Sequence, residues 1–571
     1  GNNTEEAMRN YVDGGEAIVE ALRKLRVDYI MSSPGSEWSP VWEALTRQKT
    51  EKRPGPTFIE SWHETLAVNM ASGYSLMTGR PQAVLLHAGV GLLQGSMGIH
   101  GALQAEVPMI VMSGESQSLG EDPNLDIEPQ WYGGLSTGGN ERLLEPVTKW
   151  AKTVTSPYTL YDMVVRAGEM AQRSPMGPIY LNVPLEHMLH DWTPPQSASR
   201  DVPPAPKVQA SPEEVERIAA LVRNGKRPVI VTETAGRDPE AFKALVEFAD
   251  ALAIPVIGGR NATLANFPTD HPLYLGVATY EYVRDADPVL LVSARAPWYP
   301  PHKRPTTGKI VMIHDTPFKG HMVHQNQHAD AYLEGDVALS LRLLTKAVRD
   351  GLDPKLVKER REYWTREHDK VKAAMRAEQQ KVASDDVIDP VTLFGVLGEV
   401  MPRDTIYVDE SITAAFMVRQ HLPIHVPQSF FRGSGGLGQG IGLALGVKLA
   451  APERPVVLIV GDGTFLYNPI VQALGASKQH DLPITIVVLN NKMYRAMMMG
   501  HVHHYPDGAA ANADYLYGVK IDGPRYDELG KPFGLHGQRV EKPAELKAAI
   551  EGALAANKKG KTAILDVMLS R

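Results

Sequence analysis

The chain has 571 residues, enough for about three domains of ordinary size, each with its own hydrophobic core. Hydrophobic residues make up 43% and charged residues 22%, and the formal net charge is −7, a globular composition without a basic excess. The absence of cysteine excludes disulfides, thiolate nucleophiles and cysteine–zinc sites. The sequence has no basic block, no apolar run of membrane-spanning length and no signal peptide in GNNTEEAMRN. We therefore predict a cytoplasmic protein that binds neither nucleic acid nor membrane.

Residues 1–193 alternate between helix and strand patterns. A helix is predicted near Asp13–Leu25 and another from about Thr65. Short runs rich in Val, Ile and Leu predict five strands, at Asp28–Ser33, Thr57–Ser61, Gln82–His87, Pro108–Gly114 and Pro178–Pro184. This alternation is typical of an α/β domain with a doubly wound parallel sheet that is covered by helices on both faces.

A stretch rich in Pro, Ser and Ala at 194–212 predicts a linker to a central α/β domain over 213–350. The strands predicted in this domain are Arg227–Thr232, Ile254–Gly258, Pro288–Ser293 and Lys309–His314. The central domain has no G-x-G-x-x-G motif, so nothing in its sequence indicates a dinucleotide site. Residues 351–385 interleave acids and bases in a helical pattern, which predicts a solvated connecting helix.

A third α/β domain is predicted over 386–571. It should open with a helix that Asp389 caps and Pro390 begins. Its predicted strands are Asp404–Asp409, Pro455–Val460, Pro483–Leu489 and Ala563–Leu569, and it contains the glycine-rich segment Gly433–Gly442. The first and third domains look alike in plan, as duplicated halves would.

The most informative stretch lies in the third domain. The strand ending at Val460 is followed by Gly461-Asp462-Gly463-Thr464, and the strand ending at Leu489 is followed by Asn490-Asn491. A helix is predicted between the two strands, with Asn468 as its N-cap. Asp462 and Asn491 should therefore lie at the carboxyl ends of two parallel strands, where open α/β sheets bind ligands.

The residue types in this stretch suit a metal-bound phosphate group. Gly461 and Gly463 allow backbone amides to approach a phosphate closely, and the start of the following helix favours negative charge. Asp462 and Asn491 carry hard oxygen ligands that suit Mg²⁺.

This arrangement resembles the thiamine diphosphate (ThDP) signature of the pyruvate decarboxylase and acetolactate synthase superfamily. The resemblance implies that ThDP and Mg²⁺ are cofactors. It implies that Asp462 and Asn491 hold the metal through their side chains and Met493 through its carbonyl. The further cofactor contacts that it implies are Ser411, Thr413, Gly461, Gly463, Thr464 and Tyr494.

Two other segments resemble the same superfamily. The string FIESWHETLAVNMASGYSLMTGRP implies that Glu64 hydrogen-bonds N1′ of the cofactor's aminopyrimidine. The alternative is that Glu64 is an acid in a first helical turn, where the helix dipole favours it. The segment Ser434–Gly438 implies that the Gly435 carbonyl accepts from the 4′-amino group and that Leu437 wedges the cofactor into its bent form. An ordinary core role for Leu437 is the alternative.

Three short matches resemble benzoylformate decarboxylase in particular. They are Pro34-Gly35-Ser36-Glu37, Leu86-His87-Ala88-Gly89, and Ala296-Pro297 followed by His302. The resemblance implies that Ser36 binds the substrate carboxylate and that His87 and His302 move protons, as imidazoles do near neutral pH. The alternatives are a turn residue for Ser36, a structural histidine for His87 and a chance spacing for His302.

Two segments depart from that family. Gly114–Asn140 is long, acidic and glycine-rich, and Arg495–Met499 replaces the usual sequence after Tyr494. Both should line the entrance to the site, which indicates a substrate unlike benzoylformate. The cluster His501-His503-His504 is interpreted as part of an active-site lid.

The resemblance implies ThDP- and Mg²⁺-dependent cleavage or formation of a C–C bond next to a carbonyl, with decarboxylation of a 2-oxoacid as the favoured reaction. An acetolactate synthase-like carboligase and a lyase of acyloins or diketones are alternatives. A catalytically silent scaffold with the same fold is the alternative of another class. The partners implied are a small carbonyl substrate and further copies of the chain, in a homodimer or homotetramer with active sites at subunit interfaces.

Overall fold

The computed structural model describes residues 8–117, 121–323 and 328–570. By their internal contacts these residues form two units. The first contains the chain up to Ala205 together with Ser434–Gly436, and the second contains the remainder. The predicted fold class is confirmed, because three parallel α/β sheets are present, one in the first unit and two in the second. The domain bounds drawn from the sequence stay predictions.

The described part of the first unit holds a six-stranded parallel sheet in the order β2-β1-β3-β4-β6-β5. Its strands are β1 Tyr29–Ser33, β2 Thr57–Glu60, β3 Gln82–Leu86, β4 Met109–Ser113, β5 Trp150–Thr153 and β6 Pro178–Asn182. Its helices are α1 Gly14–Lys24, α2 Ser39–Thr50, α3 Glu64–Thr78, α4 Ala88–Gln104, α5 Asn140–Leu144, α6 Leu160–Ala171 and α7 Leu185–Met188. Every residue of β3, β4 and β6 is buried, as expected of strands covered on both faces.

The central sheet of the second unit has five parallel strands in the order β11-β10-β9-β7-β8, counted over the described residues. They are β7 Val229–Thr232, β8 Val256–Gly258, β9 Val289–Val292, β10 Ile310–His314 and β11 Ala331–Glu334. The associated helices are α8 Pro212–Asn224, α9 Pro239–Leu252, α10 Thr279–Val283, α11 Val337–Arg349 and α12 Pro354–Lys381. The predicted connecting helix is confirmed as α12, in which only Trp364 and His368 are buried.

The C-terminal sheet of the second unit has six parallel strands in the order β13-β12-β14-β15-β17-β16 within the described chain. They are β12 Ile406–Glu410, β13 Phe430–Arg432, β14 Val456–Gly461, β15 Thr485–Asn490, β16 His536–Val540 and β17 Ala563–Met568. The helices are α13 Pro390–Val400, α14 Ala415–His421, α15 Gly440–Ala450, α16 Asp462–Phe465, α17 Ile470–Gln479, α18 Arg495–His504, α19 Ala509–Ala513 and α20 Leu546–Lys558. Renumbered from their own first strand, the first and last sheets share one strand order, so the predicted likeness in plan is confirmed.

The sequence correctly predicted the central strands and missed four edge strands. The strands that were not predicted are β5, β11, β13 and β16, and each of them lies at an edge of its sheet. These strands have three to five residues and mixed polarity, for example WAKT in β5 and HGQRV in β16. An edge strand needs no continuous apolar run because one side of it faces solvent, so its pattern is weak.

One helix start was also predicted wrongly. The Gly-Asp-Gly turn leads into the short helix α16, and the next helix, α17, begins at Ile470 and is not capped by the Asn468 side chain. Instead, Asn468 Nδ2 donates to Glu410 Oε1 at 2.8 Å and Asn468 Oδ1 accepts from the backbone N–H of Ile441 at 3.1 Å. A buried amide bonded to a carboxylate and a distant backbone group outweighs a local cap. The predicted cap at Asp389 is confirmed, because its side chain accepts from Val391 N at 2.9 Å.

The packing of α1 generates a stability prediction. A Cβ on Gly15 would overlap the carbonyl of Pro40 and lie 2.7 Å from Val41 N, whereas a Cβ on Gly552 in α20 would have only one atom within 4 Å, at 4.0 Å. Gly15→Ala should lower the free energy of unfolding by about 1–3 kcal/mol because backbone must shift to admit the methyl group. The matched Gly552→Ala should be neutral or stabilise by up to about 1 kcal/mol through helix propensity. Equal urea-unfolding midpoints for the two variants would contradict the packing described.

Candidate active site

Three predicted site residues of the first unit follow strands at the same edge of its sheet. Ser36 lies in the turn after β1, Glu64 opens α3 after β2, and His87 directly follows β3. Because β1, β2 and β3 are parallel neighbours, their carboxyl ends meet at one edge. The structure therefore brings Ser36, Glu64 and His87 to one edge of the sheet, and their roles there stay predictions.

Glu64 has a carboxylate that is available to a ligand. The residue is half-buried at the first position of α3, and its side chain hydrogen-bonds to no described residue. The helix start is instead capped by His63, whose Nδ1 accepts from Thr65 N at 3.1 Å. An unpaired carboxylate at this place suits a hydrogen bond to a cofactor ring nitrogen.

His87 is paired with a carboxylate that the sequence reading did not assign. Its Nδ1 lies 2.8 Å and 3.0 Å from the two oxygens of Glu37, which is completely buried. The hydrogen bond with Glu37 raises the pKa of His87, and burial raises the pKa of Glu37. The indole of Trp131 lies against the imidazole, with ring centroids 6.3 Å apart.

Ser36 also has an unexpected carboxylate neighbour. Its hydroxyl donates to Glu128 Oε2 at 2.8 Å, and Gln130 Nε2 donates to Ser36 Oγ at 2.8 Å and to Glu128 Oε2 at 2.6 Å. Glu128 belongs to the acidic segment 114–140, of which residues 118–120 lie outside the described chain. Its φ of 64° is in the left-handed region, which few residues other than glycine occupy. The acidic segment thus contributes a negative charge next to the predicted substrate-binding serine.

In the second unit, Asp462 and Asn491 follow two adjacent strands of the C-terminal sheet. β14 pairs with β15 in a register that places Gly461 opposite Leu489, so both residues emerge at the same edge. Asp462 Oδ2 accepts from Lys492 N at 3.1 Å, and Asn491 Oδ1 accepts from Met493 N at 3.2 Å. Burial raises the pKa of Asp462 to about 6. A cation at this edge would offset the cost of holding the buried carboxylate ionised.

The donor set and the space around it fit a metal-bound diphosphate. A Cβ on Gly461 would have only Thr464 Oγ1 nearby, at 3.8 Å, so the turn is open on that side. At Gly463 a Cβ would overlap the Tyr494 ring, which fixes glycine there and places Tyr494 over the turn. No group of three or more His, Cys, Asp or Glu side chains capable of holding a metal occurs among the described residues. A single carboxylate with an amide oxygen suits Mg²⁺, which takes its remaining ligands from carbonyls, phosphates or water.

Glu410 is the last residue of β12, and both it and Ser411, which follows the strand, are buried. Glu410 Oε2 accepts from the backbone N–H groups of Gln439 at 2.7 Å and Gly440 at 2.8 Å, and burial raises its pKa to about 7. Ser411 Oγ donates to Asp409 Oδ1 at 2.6 Å, whereas Thr413 is exposed. Glu410 therefore anchors the start of α15 and serves as an internal brace for the glycine-rich segment.

That segment carries Gly435 and Leu437. Gly435 and Gly438 have φ values of 89° and 96°, a backbone conformation that requires glycine in practice. Gly435 groups with the first unit, where a Cβ on it would lie 2.9 Å from His100 Nε2. Leu437 is half-buried in the second unit, so part of its side chain remains accessible.

The other histidines that the sequence suggested for the site, His302 and the cluster His501-His503-His504, lie on the second unit. His302 is exposed in a loop after β9 and hydrogen-bonds to no residue within the described ranges. His501, His503 and His504 lie on α18, which begins directly after Tyr494 and has no buried residue.

Sequence reasoning missed Glu37, Glu128 and the bracing role of Glu410. A signal existed for Glu37, which follows Ser36 in the same turn. Glu128 and Glu410 could not be found because their partners lie 92 and 29–58 residues away in the chain.

Family models match most of the chain in three segments. They are the N-terminal TPP binding domain of thiamine pyrophosphate enzymes at residues 12–130, the central domain at 215–344 and the C-terminal TPP binding domain at 412–567. The chain belongs to the thiamine diphosphate enzyme family. The predicted resemblance is confirmed, and the two matched binding domains point to ThDP as the cofactor.

The individual relatives of this ThDP enzyme have low sequence identity to it but match nearly its whole length. Benzoylformate decarboxylase of Pseudomonas aeruginosa is 25% identical, over 95% of this chain and 96% of that protein. The acetolactate synthase large subunit IlvG of Mycobacterium tuberculosis is 26% identical, over 99% and 97%. The solved structure of a thiamine diphosphate-dependent 4-hydroxybenzoylformate decarboxylase from Rhodococcus jostii has a TM-score of 0.79 at 23% identity, over 98% of this chain and 100% of that one. At that identity the structural likeness shows the fold alone.

Within the described ranges, no helix is both long and apolar enough to cross a bilayer.

Proposed function

We propose that this ThDP enzyme uses Mg²⁺ and catalyses the non-oxidative decarboxylation of a 2-oxoacid. The observation that supports the proposal most directly is that an available Glu64 carboxylate and the His87 imidazole, which is hydrogen-bonded to Glu37, lie at the same edge of one sheet. Bound ThDP would supply a nucleophilic carbon that adds to a carbonyl and accepts the electron pair released with CO₂.

The chain's own residues would divide the work as follows. Asp462, Asn491 and the Met493 carbonyl would hold Mg²⁺ on the diphosphate, while the open side of Gly461 admits the phosphate oxygens. Glu64 would hydrogen-bond the aminopyrimidine and so control its protonation. Leu437 would keep the cofactor bent. These roles rest on the sequence resemblance and on the geometry that fits it.

Proton transfer to and from the reacting carbons would fall to His87. Its Nδ1 is engaged by Glu37, and its Nε2 hydrogen-bonds to none of the described residues, so that nitrogen can face a substrate. His302 would be a second proton carrier, as the resemblance to benzoylformate decarboxylase implies.

A second reaction is favoured by one specific observation. Glu128 accepts the Ser36 hydroxyl at 2.8 Å, so a substrate carboxylate that bound Ser36 would meet a like charge. An uncharged acyloin or 1,2-diketone would not be repelled. Cleavage of such a neutral substrate is therefore the second candidate, and acetolactate synthase-like carboligation is the third.

The proposal is tested by CO₂ release from pyruvate, a branched-chain 2-oxoacid, phenylpyruvate and benzoylformate, each with and without ThDP and Mg²⁺. Cofactor-dependent release with an aldehyde product would support the decarboxylase, and an acyloin product would support the carboligase. Absence of release from every oxoacid, together with cleavage of acetoin or diacetyl, would replace the proposal by the lyase. Inactivity towards both sets would favour a silent scaffold.

Glu64→Gln should retain ThDP but lose turnover by roughly 10²–10⁴-fold, because an amide cannot exchange a proton with the aminopyrimidine. ThDP affinity by fluorescence titration and turnover by CO₂ release would be measured on the same preparation. The exposed acid Glu51 offers the matched control Glu51→Gln, which should behave as the wild type. Undiminished turnover in Glu64→Gln would remove Glu64 from the mechanism.

Asp462→Ala should abolish Mg²⁺-dependent retention of ThDP, because one of two side-chain oxygen ligands is lost. Retention would be measured by gel filtration followed by thiochrome assay of the protein peak. Asp385→Ala removes an exposed carboxylate of the same type and should retain the cofactor. If Asp462→Ala kept the wild-type affinity, the metal site would have to lie elsewhere.

Glu128→Gln should raise kcat/KM for anionic 2-oxoacids by about threefold to tenfold, since one unit charge at close range in water is worth about 1 kcal/mol. The same change should leave kcat/KM for a neutral diketone within about twofold, since that substrate carries no charge to be repelled. Equal effects on both substrate classes would mean that Glu128 acts by shape and not by charge.

A further inference from the structure

The feature that extends the proposed mechanism is the buried carboxylate of Glu37. Its Oε1 and Oε2 lie 2.8 and 3.0 Å from His87 Nδ1, and Oε2 also accepts from the backbone N–H of Ala88 at 3.0 Å. Glu37 has no exposed surface, whereas about a fifth of the His87 side chain, 22%, is exposed. The carboxylate is therefore sealed behind the imidazole, and the imidazole is the group that a ligand can reach.

The surrounding chain holds the two residues rigidly. Glu37 lies in the 3₁₀ turn Ser36–Trp38, and the buried indole of Trp38 donates to the Leu86 carbonyl at 2.8 Å, immediately before His87. A Cβ on Gly35 would overlap the His87 ring and lie 2.5 Å from Glu37 Oε1, so the turn packs directly on the pair. Ala88 has a φ of 49°, a left-handed conformation that aims its N–H at the carboxylate.

The donors and acceptors around Glu37 determine which ring nitrogen of His87 carries the proton. A backbone N–H can only donate, so the Glu37 oxygens act as acceptors towards Ala88. An ionised carboxylate is an acceptor towards the imidazole as well, which requires a proton on Nδ1. In neutral His87 the lone pair is then on Nε2, the nitrogen without a partner in the described chain.

The charged groups that act on the His87 imidazole are all carboxylates. Glu37 contributes most, and Glu64 on α3 and Glu128 on the acidic segment add smaller effects in the same direction. All three favour the imidazolium.

We propose that Glu37 is a positioning residue that sets the tautomer of His87 and keeps its Nε2 available for proton transfer. The inference rests on the proposed function, because it assigns a purpose to the proton-transfer role of His87. The carboxylate does not touch the substrate. It acts through the imidazole, as carboxylates behind catalytic and metal-binding histidines do.

Only a carboxylate of this length satisfies both donors. In Glu37→Gln one oxygen becomes an NH₂ donor, so either Ala88 N–H loses its acceptor or His87 must move its proton to Nε2. In Glu37→Asp the charge remains but the side chain is one methylene shorter and withdraws from Nδ1. The two variants thus separate the charge from the hydrogen bond, and Glu43→Gln, an exposed acid on α2, is the matched control.

The first readout does not depend on activity. Diethyl pyrocarbonate acylates neutral imidazole, and the extent of acylation at His87 is measured by peptide mass spectrometry of the ThDP-loaded protein across pH. Glu37→Gln should move the pH midpoint of His87 acylation downwards, and Glu37→Asp should move it less. Glu43→Gln should leave it unchanged. An unchanged midpoint in a folded Glu37→Gln protein would overturn the proposal.

The second readout is kinetic, with the substrate that the panel identifies. Glu37→Gln should reduce kcat at neutral pH by at least about tenfold, and the limb of kcat/KM against pH that reports His87 should move to lower pH. A shifted acylation midpoint with unchanged kcat would also overturn the positioning role. If the protein had no activity on any substrate, the proposed function would fail while the acylation midpoint still reported the Glu37–His87 pair. If Glu37→Gln did not fold, Glu37→Asp would carry both measurements.

Discussion

In each unit, the predicted site residues depend on the parallel pairing of strands within one sheet. Parallel neighbours end at the same edge, so the short turns after β1, β2 and β3, and those after β14 and β15, each gather polar groups without long connections. The strands β3, β14 and β15 behind these turns consist mostly of buried Val, Ile, Leu and Ala, which gives the turns a rigid support. Chemistry is thereby confined to a few residues at strand ends, while the strands themselves serve only to place them.

Buried carboxylates are the second organising element. Glu37 accepts from the backbone N–H of Ala88 and bonds to the His87 side chain, whereas Glu410 accepts from two backbone N–H groups and from the Asn468 side chain. Each carboxylate braces a segment that carries a predicted cofactor or substrate residue. Burial raises the pKa of both. Such groups are costly unless every oxygen has a donor, which explains why they are found with several donors each. The free-energy cost of burying these carboxylates is offset because their hydrogen bonds hold glycine-rich or strained turns in one conformation.

The acidic segment 114–140 is a part of this chain that departs from the benzoylformate decarboxylase pattern which other parts of the sequence resemble. It contributes Trp131 beside His87 and Glu128 beside Ser36, so it contacts both predicted substrate residues of the first unit. In the mechanism that we propose, the charge of that segment would influence substrate choice together with the proton-transfer group His87 behind it. The chain is similar along its length both to a decarboxylase and to a synthase, so family membership alone does not fix its reaction.

The sequence by itself determined the fold class, the central strands, the connecting helix and the strand-end positions of Glu64, His87, Asp462 and Asn491. These features depend on local signals, namely apolar runs, caps and glycine turns, which a single chain displays directly. The tertiary structure decided the features that local signals do not encode, namely the edge strands and the partners of buried polar side chains. It showed the weak edge strands β5 and β16, turned Asn468 from a helix cap into a partner of Glu410, and buried Glu37 behind His87. Each of these depends on partners that are distant in sequence and become neighbours only when the sheet forms, because a side chain's hydrogen bonds are settled by burial and not by its local motif.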